Sequence, residues 1–229
     1  MSAIATNLQA VRERIAKAAR AAGRDLAEIT LLAVSKTKPL ADILCAADAG
    51  QTAFGENYAQ EGVDKMNVAV DRALDWHFIG PLQSNKTRLV AEHYSWVHSV
   101  ERLKIAQRLA SQRPTHLPPL QVCVQVNVSG EASKSGCAPD QALALCQAVS
   151  SLPGLRLRGL MTIPEAVDDP SAQRLPFQQL RELSESIRAA GVPLDTLSMG
   201  MSHDLEAAIA EGATIVRIGT AIFGERNYS

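Results

Sequence analysis

Aromatic residues are scarce in this 229-residue sequence, at 4% of the total. That scarcity argues against a surface that stacks nucleic-acid bases. An excess of one charge is missing as well. The formal net charge is −1, so no global electrostatic pull toward nucleic acid or an anionic membrane follows. The four cysteines are Cys45, Cys123, Cys137 and Cys146. No two form C-x-x-C, and none sits at zinc-finger spacing with a histidine pair. Three of the four lie in apolar or helical contexts, where free cysteine behaves as a small hydrophobe. No apolar run approaches the ~20 residues of a membrane span. The opening segment, MSAIATNLQAVRERIAKAAR, lacks the apolar core of a secretion signal and looks helical. These absences predict a cytoplasmic protein with reduced thiols, no metal site, and neither membrane nor nucleic acid as a partner.

What is present is alternation. Short apolar runs rich in β-branched residues are separated by helix-period segments, the pattern of βα units. Strands are predicted at 29–35, 52–56, 75–80, 95–100, 120–128, 155–163, 195–200 and 214–219. Gly50 and Gly212 stand where helix C-terminal glycines belong. Eight such strands point to an α/β fold, a (β/α)8 TIM barrel, with an extra N-terminal helix over about 5–22. A doubly wound open sheet would show the same alternation. No linker divides the chain, so residues 1–229 are expected to form a single domain.

A barrel carries its site at the C-terminal strand ends. The polar residues predicted there are Lys36, Asn57, the Gly80–Pro81 turn, Ser99, Asn127, Thr162, Ser202, and Arg217 with Gly219 and Thr220. Lys36 ends the buried run LLAVSK. It is either a solvated loop lysine or an amine with a reaction to perform. A free lysine has a pKa of ~10.4, which leaves roughly one amine in two thousand uncharged at neutral pH. Desolvation at the end of an apolar strand would lower that value and favour attack on an aldehyde. SMGMSHDLEAAI reads as strand, glycine turn and helix, with Ser202 at the N-cap, and VRIGTAIFG offers a second set of backbone amides. Both suit a phosphate, although Asp204 and Glu206 would repel one unless they point away. Arg217 interrupts an apolar strand. It needs either a salt-bridge partner or an anion or aromatic nitrogen in the mouth. Together these residues ask for a ligand with an aldehyde, a phosphate and a polar ring atom. Pyridoxal 5′-phosphate (PLP) has all three, and a sugar-phosphate aldolase substrate has the first two.

The segments AVSKTKP, FGENYAQE, WHFIGPLQSNKTR, VNVSGEASKSG, GLMTI, LSMGMSHDLEAAI and VRIGTAIFG closely resemble the pyridoxal phosphate homeostasis protein family. These are short proteins similar to the barrel domain of alanine racemase. The resemblance spans about residues 5–224 in the same order, with HFIGPLQSNK and SMGMS-x-D its most specific parts. It implies that Lys36 carries PLP as a Schiff base, and that Ser202, Gly219 and Thr220 hold the phosphate. It places Arg217 against the pyridine nitrogen and Asn57 near the ring edge. A cation there disfavours protonation of that nitrogen and weakens the cofactor as an electron sink.

Departures from the racemase pattern bear on activity. A racemase has a second, β-rich domain that supplies a tyrosine base from the partner subunit. Here the sequence ends five residues after Gly224, and SKTKPLAD contains no tyrosine. Racemisation by two bases needs an acid/base on each face of the substrate carbon. Beyond Lys36, only Tyr58 and Tyr94 are candidates. The expectation is therefore a monomeric PLP-binding protein that buffers, protects or delivers cofactor, with PLP-accepting apo-enzymes as partners and no committed turnover. The alternatives are a PLP-dependent amino-acid racemase or related enzyme and, less favoured, a Schiff-base aldolase. His77 and His98 read as hydrogen-bonded structural residues, and Met161 as core or a ring contact. Lys134 is either a solvated loop lysine or a guard at the mouth that attracts a second anion. The arginines of the first helix read as a solvated face.

Overall fold

The computed structural model describes residues 2–130, 135–167 and 169–225. Among these, eight parallel strands close into a barrel in sequence order. They are β1 (Thr30–Val34), β2 (Ala53–Glu56), β3 (Asp75–Phe78), β4 (Trp96–Val100), β5 (Leu120–Gln125), β6 (Leu155–Met161), β7 (Thr196–Ser198) and β8 (Ile215–Ile218). Closure rests on the pairing of β1 with β8, in register from Thr30↔Ile215 to Ala33↔Ile218, which excludes the open sheet. The helices are α1 (Ala3–Ala21), α2 (Leu40–Asp48), α3 (Ala59–Val68), α4 (Thr87–His93), α5 (Leu103–Gln112), α6 (Pro139–Ser150), α7 (Pro170–Ala189), α8 (Leu205–Ala210) and α9 (Thr220–Phe223).

The strands read as continuous apolar runs because both faces are covered. Successive side chains alternate between the helices outside and the barrel interior. Ala33, Phe54, Trp76, Phe78 and Val97 belong to the large outer core. Leu32, Ala53, Ile79 and Ile215, with Val34 and Trp96 against them, form a separate inner cluster. Each fully buried Leu, Ile or Phe contributes about 1.5–3 kcal/mol. The same alternation continues past the strand ends. Lys36 follows Leu32 and Val34 on the inner column of β1, and Asn57 follows Ala53 and Gly55 on β2.

Helix boundaries follow local chemistry. Ser2 caps α1 by accepting from the Ala5 amide at 3.2 Å, and Leu8, Val11, Ile15, Ala18 and Ala19 form its buried stripe. Gly50 (φ +82°) and Gly212 (φ +94°) stand just beyond the C-termini of α2 and α8, as predicted. The predicted fifth strand runs too long. Asn127 Oδ1 accepts from the Gly130 amide at 3.1 Å and the Ser129 hydroxyl at 3.2 Å, a turn that ends the strand at Gln125.

The α1 arginines are not simply a solvated face. Arg12 Nη1 donates to Ala49 O at 2.9 Å, and Arg24 Nη1, just past the end of α1, donates to Ile209 O and Ala213 O. Each satisfies carbonyls left over at a helix C-terminus.

Gly80 lets two strand ends approach. A Cβ there would lie 2.3 Å from Asn57 O and 2.7 Å from Asn57 Cα. Gly80→Ala is expected to lower unfolding free energy by about 1–3 kcal/mol in urea titrations. An unchanged midpoint would contradict this packing.

Candidate functional site

A cavity of about 210 Å3 opens at the C-terminal ends of the strands. Lys36, Asn57, Ser202, Arg217, Gly219 and Thr220 all line it, along with Val34, Ile79, Ile163, Met201 and His203. The structure thus brings together all six residues predicted from sequence. A larger cavity, about 430 Å3, lies at the opposite face, lined by strand beginnings such as Thr30, Thr196 and Ile215. Barrel chemistry belongs to the C-terminal face, so the smaller cavity is the candidate. Of the other strand-end residues, Ser99, Asn127 and Thr162 do not line it. Met161 is fully buried and also absent from the lining, which makes it core. Lys134 lies outside the described residues.

Lys36 is half-buried, and its two neighbours are clamped beneath it. The Ser35 hydroxyl donates to Glu56 Oε1 at 2.6 Å. Lys65 Nζ donates to Ser35 O, Glu56 Oε1 and Glu61 Oε1 at 2.9, 2.8 and 2.7 Å. Glu61 Oε1 also accepts from the Thr37 amide at 2.6 Å. Thr37 has φ +62°, a conformation that costs a β-branched residue roughly 1–3 kcal/mol; the Glu61 bond offsets it. Glu56 is fully buried and its Oε2 has no partner among the described residues. Burial pushes its carboxyl up, with the Lys65 charge opposing. Lys38, two residues on, faces elsewhere: its ammonium donates to Phe223 O, Gly224 O and Glu225 O. Sequence reasoning missed this clamp. Its one local signal was the Glu61–Lys65 spacing of four in α3.

On the opposite rim, Ser202 precedes the helix but does not cap it. The N-cap of α8 is Asp204, whose side chain does not cap the helix but turns back to accept from the Met201 amide at 2.6 Å. Glu206 points outward and takes a two-pronged bond from Arg14, at 2.5 and 2.7 Å. Arg14 Nη1 also donates to Ser202 O at 2.8 Å. Both carboxylates therefore have protein partners, and α1 holds the Ser202 turn in place. Gly219 is the N-cap of α9, whose first amides have no partner within the helix.

Arg217 is 3% exposed. Nη1 donates to Ser198 Oγ at 2.9 Å and Nη2 to Thr162 O at 2.8 Å. Among the described residues it forms no ion pair, so the salt-bridge alternative does not hold. Burial lowers its pKa to about 10, with the charge of Asp204 opposing, and it remains a cation at neutral pH. Tyr94 is buried with its hydroxyl donating to Ala59 O at 3.3 Å, Tyr58 is exposed, and neither lines the cavity. The buried thiols are inert: burial pushes Cys123 and Cys146 up to about 12 and Cys137 to about 11.

Two predictions follow from the clamp. Lys65→Met is expected to cost about 3–5 kcal/mol of stability by leaving Glu56 buried and unpaired, and adding Glu56→Gln should recover most of it. A folded pKa above the ordinary glutamate value means the Glu56 contribution is complete below that value and is lost as pH rises through the folded one. The stability of the native protein minus that of Glu56→Gln should therefore fall with rising pH in denaturation curves. A flat difference would refute the shift.

The sequence profile of the alanine racemase N-terminal domain matches residues 6–227. The pyridoxal phosphate homeostasis protein of Pseudomonas aeruginosa is 63% identical over 228 residues, covering 100% of this chain and 98% of that protein. That of Escherichia coli K12 is 54% identical over 232 residues, covering 100% and 99%. Among solved structures, PipY of Synechococcus elongatus with PLP bound is 36% identical at a TM-score of 0.84, covering 96% of this chain and 100% of that one. Alanine racemase of Clostridium difficile, at 13% identity and a TM-score of 0.74 over 95% of this chain and 57% of that one, shares the fold. With relatives of this identity over their full length, the chain belongs to the pyridoxal phosphate homeostasis protein family, built on the alanine racemase N-terminal domain.

Proposed function

We propose that this protein binds PLP in the C-terminal cavity, attaches it covalently to Lys36, and serves to hold and deliver the cofactor without a committed reaction of its own. One observation carries this. A lysine amine, a buried guanidinium and the Gly219–Thr220 turn line a single cavity.

The residues present fit the group. Asn57 lines the cavity, and its Oδ1 is buried without a partner among the described residues, a polar atom that a ligand could satisfy. At Gly219 a Cβ would sit 3.2 Å from Val34 O, so the glycine keeps the backbone close to the cavity floor. When bound, PLP supplies an aldehyde for an amine and a ring that draws electrons. Lys36 provides the amine. Ser202, Gly219 and Thr220 hold the phosphate with a hydroxyl and backbone amides. Arg217 presents a permanent cation to the ring nitrogen and keeps protons from it. Beside Lys36 and Arg217, the titratable side chain in the described lining is His203, exposed at the rim. The same reading makes the protein a cytoplasmic monomer that hands cofactor to apo-enzymes.

Titration with PLP should generate a visible absorption band that Lys36→Ala abolishes. A full-strength band in that variant would overturn covalent attachment. Arg14→Ala, which frees the Ser202 turn without touching the cavity, should weaken PLP binding by about tenfold, or ~1.4 kcal/mol. Incubation with amino acids in heavy water should show no exchange of the α-hydrogen at enzymatic rates, and rapid exchange abolished by His203→Ala would establish an enzyme.

A further inference from the structure

Strands on opposite sides of the barrel send polar side chains into its interior, and these connect end to end. Arg217 on β8 donates to Ser198 Oγ on β7. Ser198 Oγ lies 2.7 Å from His98 Nδ1 on β4. His98 Nε2 lies 2.9 Å from His77 Nδ1 on β3, and His77 Nε2 lies 3.1 Å from Asp75 Oδ2. Ser198 and His98 are fully buried and His77 is 2% exposed. Asp75 opens β3, so it stands at the N-terminal face, and its side chain is 45% exposed.

With both rings neutral, the two ends leave one direction for every bond. A guanidinium only donates, and a carboxylate only accepts. Ser198 Oγ therefore accepts from Arg217 and gives its own proton to His98 Nδ1. His98 must then carry its proton on Nε2 and donate to His77 Nδ1, which leaves the His77 proton on Nε2, donated to Asp75. In this arrangement each imidazole carries its proton on Nε2. Burial, with the Arg217 charge nearby, holds His98 well below the ordinary imidazole range. Burial alone would raise Asp75, but the His77 bond carries it below its ordinary value. The charged or titratable groups around the chain are Asp204 and Cys123 near Arg217, and Arg158, 4.8 Å over the Trp96 ring that stacks on His77.

We propose that Ser198, His98, His77 and Asp75 form a one-directional hydrogen-bond relay that positions the Arg217 guanidinium and couples it to the charge of Asp75 at the opposite face of the barrel. The relay stands without a cofactor; its effect on one rests on the reading of Arg217 given above. All four are positioning residues.

Nitrogen NMR on ligand-free, histidine- and arginine-labelled full-length protein tests it. At neutral pH both His77 and His98 should show neutral Nε2–H rings. An Nδ1–H tautomer or an imidazolium at either overturns the relay. Asp75→Asn keeps an acceptor oxygen but removes the charge, and it should shift the Arg217 guanidinium signals. Asp71→Asn, exposed in the turn before β3, should not. No shift in Asp75→Asn overturns the coupling. With PLP loaded, Ser198→Ala should move the visible band and Ser198→Thr should restore it. A band present but unmoved by Ser198→Ala overturns the positioning role while the cofactor reading stands. A native protein with no band overturns the cofactor reading, and the relay is then decided by the ring tautomers.

Discussion

The cation of Arg217, buried inside the barrel, is the constraint on which the interior depends. A guanidinium taken out of water costs several kcal/mol unless its hydrogens find acceptors, and it cannot discharge at neutral pH. The barrel supplies Thr162 O and Ser198 Oγ. Ser198 in turn needs somewhere to send its own proton, and the histidines of β3 and β4 follow. The interior is therefore divided. Leu32, Ala53, Ile79 and Ile215 form an apolar cluster, while His77, His98, Ser198 and Arg217 on β3, β4, β7 and β8 form a connected polar chain. In place of stacked aliphatic layers, the barrel spends part of its interior on keeping one positive charge satisfied beneath the cavity.

A second polar system lies outside the barrel wall, where Glu61 and Lys65 of α3 meet Glu56 of β2. The two systems meet at Lys36. Strand alternation puts Ser35 and Glu56 on the outer face and Lys36, Asn57 and Arg217 on the inner one. The outer network fixes the backbone on both sides of Lys36, and the inner one fixes the charge facing the cavity. The long α1 helix joins them to the Ser202 side of the cavity, since Arg14 holds the Ser202 turn. An amine, a cation and the Ser202 turn are thus each held by a different part of the fold.

The strand pattern was legible because a parallel barrel covers both faces of every strand, so apolar runs stand out, and eight of them have few other ways to pack. The cavity residues were legible because Lys36 and Arg217 are costly in apolar runs and so signal a reason. What periodicity does not encode is partnership across the barrel. Nothing local links His98 to Ser198, 100 residues apart, nor Arg14 to Ser202, 188 apart. The early end of β5 at the Asn127 turn depends on which side-chain oxygen reaches which amide. The clamp under Lys36 was hidden for a related reason: Glu61 and Lys65 look like an ordinary exposed helix pair until Glu56 is packed beneath them.

The most direct measurement of the central claim is where the cofactor attaches. PLP-loaded protein can be fixed by borohydride, digested, and its peptides weighed. The account predicts one modified site, Lys36, with Lys38 unmodified because its ammonium is bound to the carbonyls after α9. Modification spread over surface lysines with Lys36 unlabelled would contradict it.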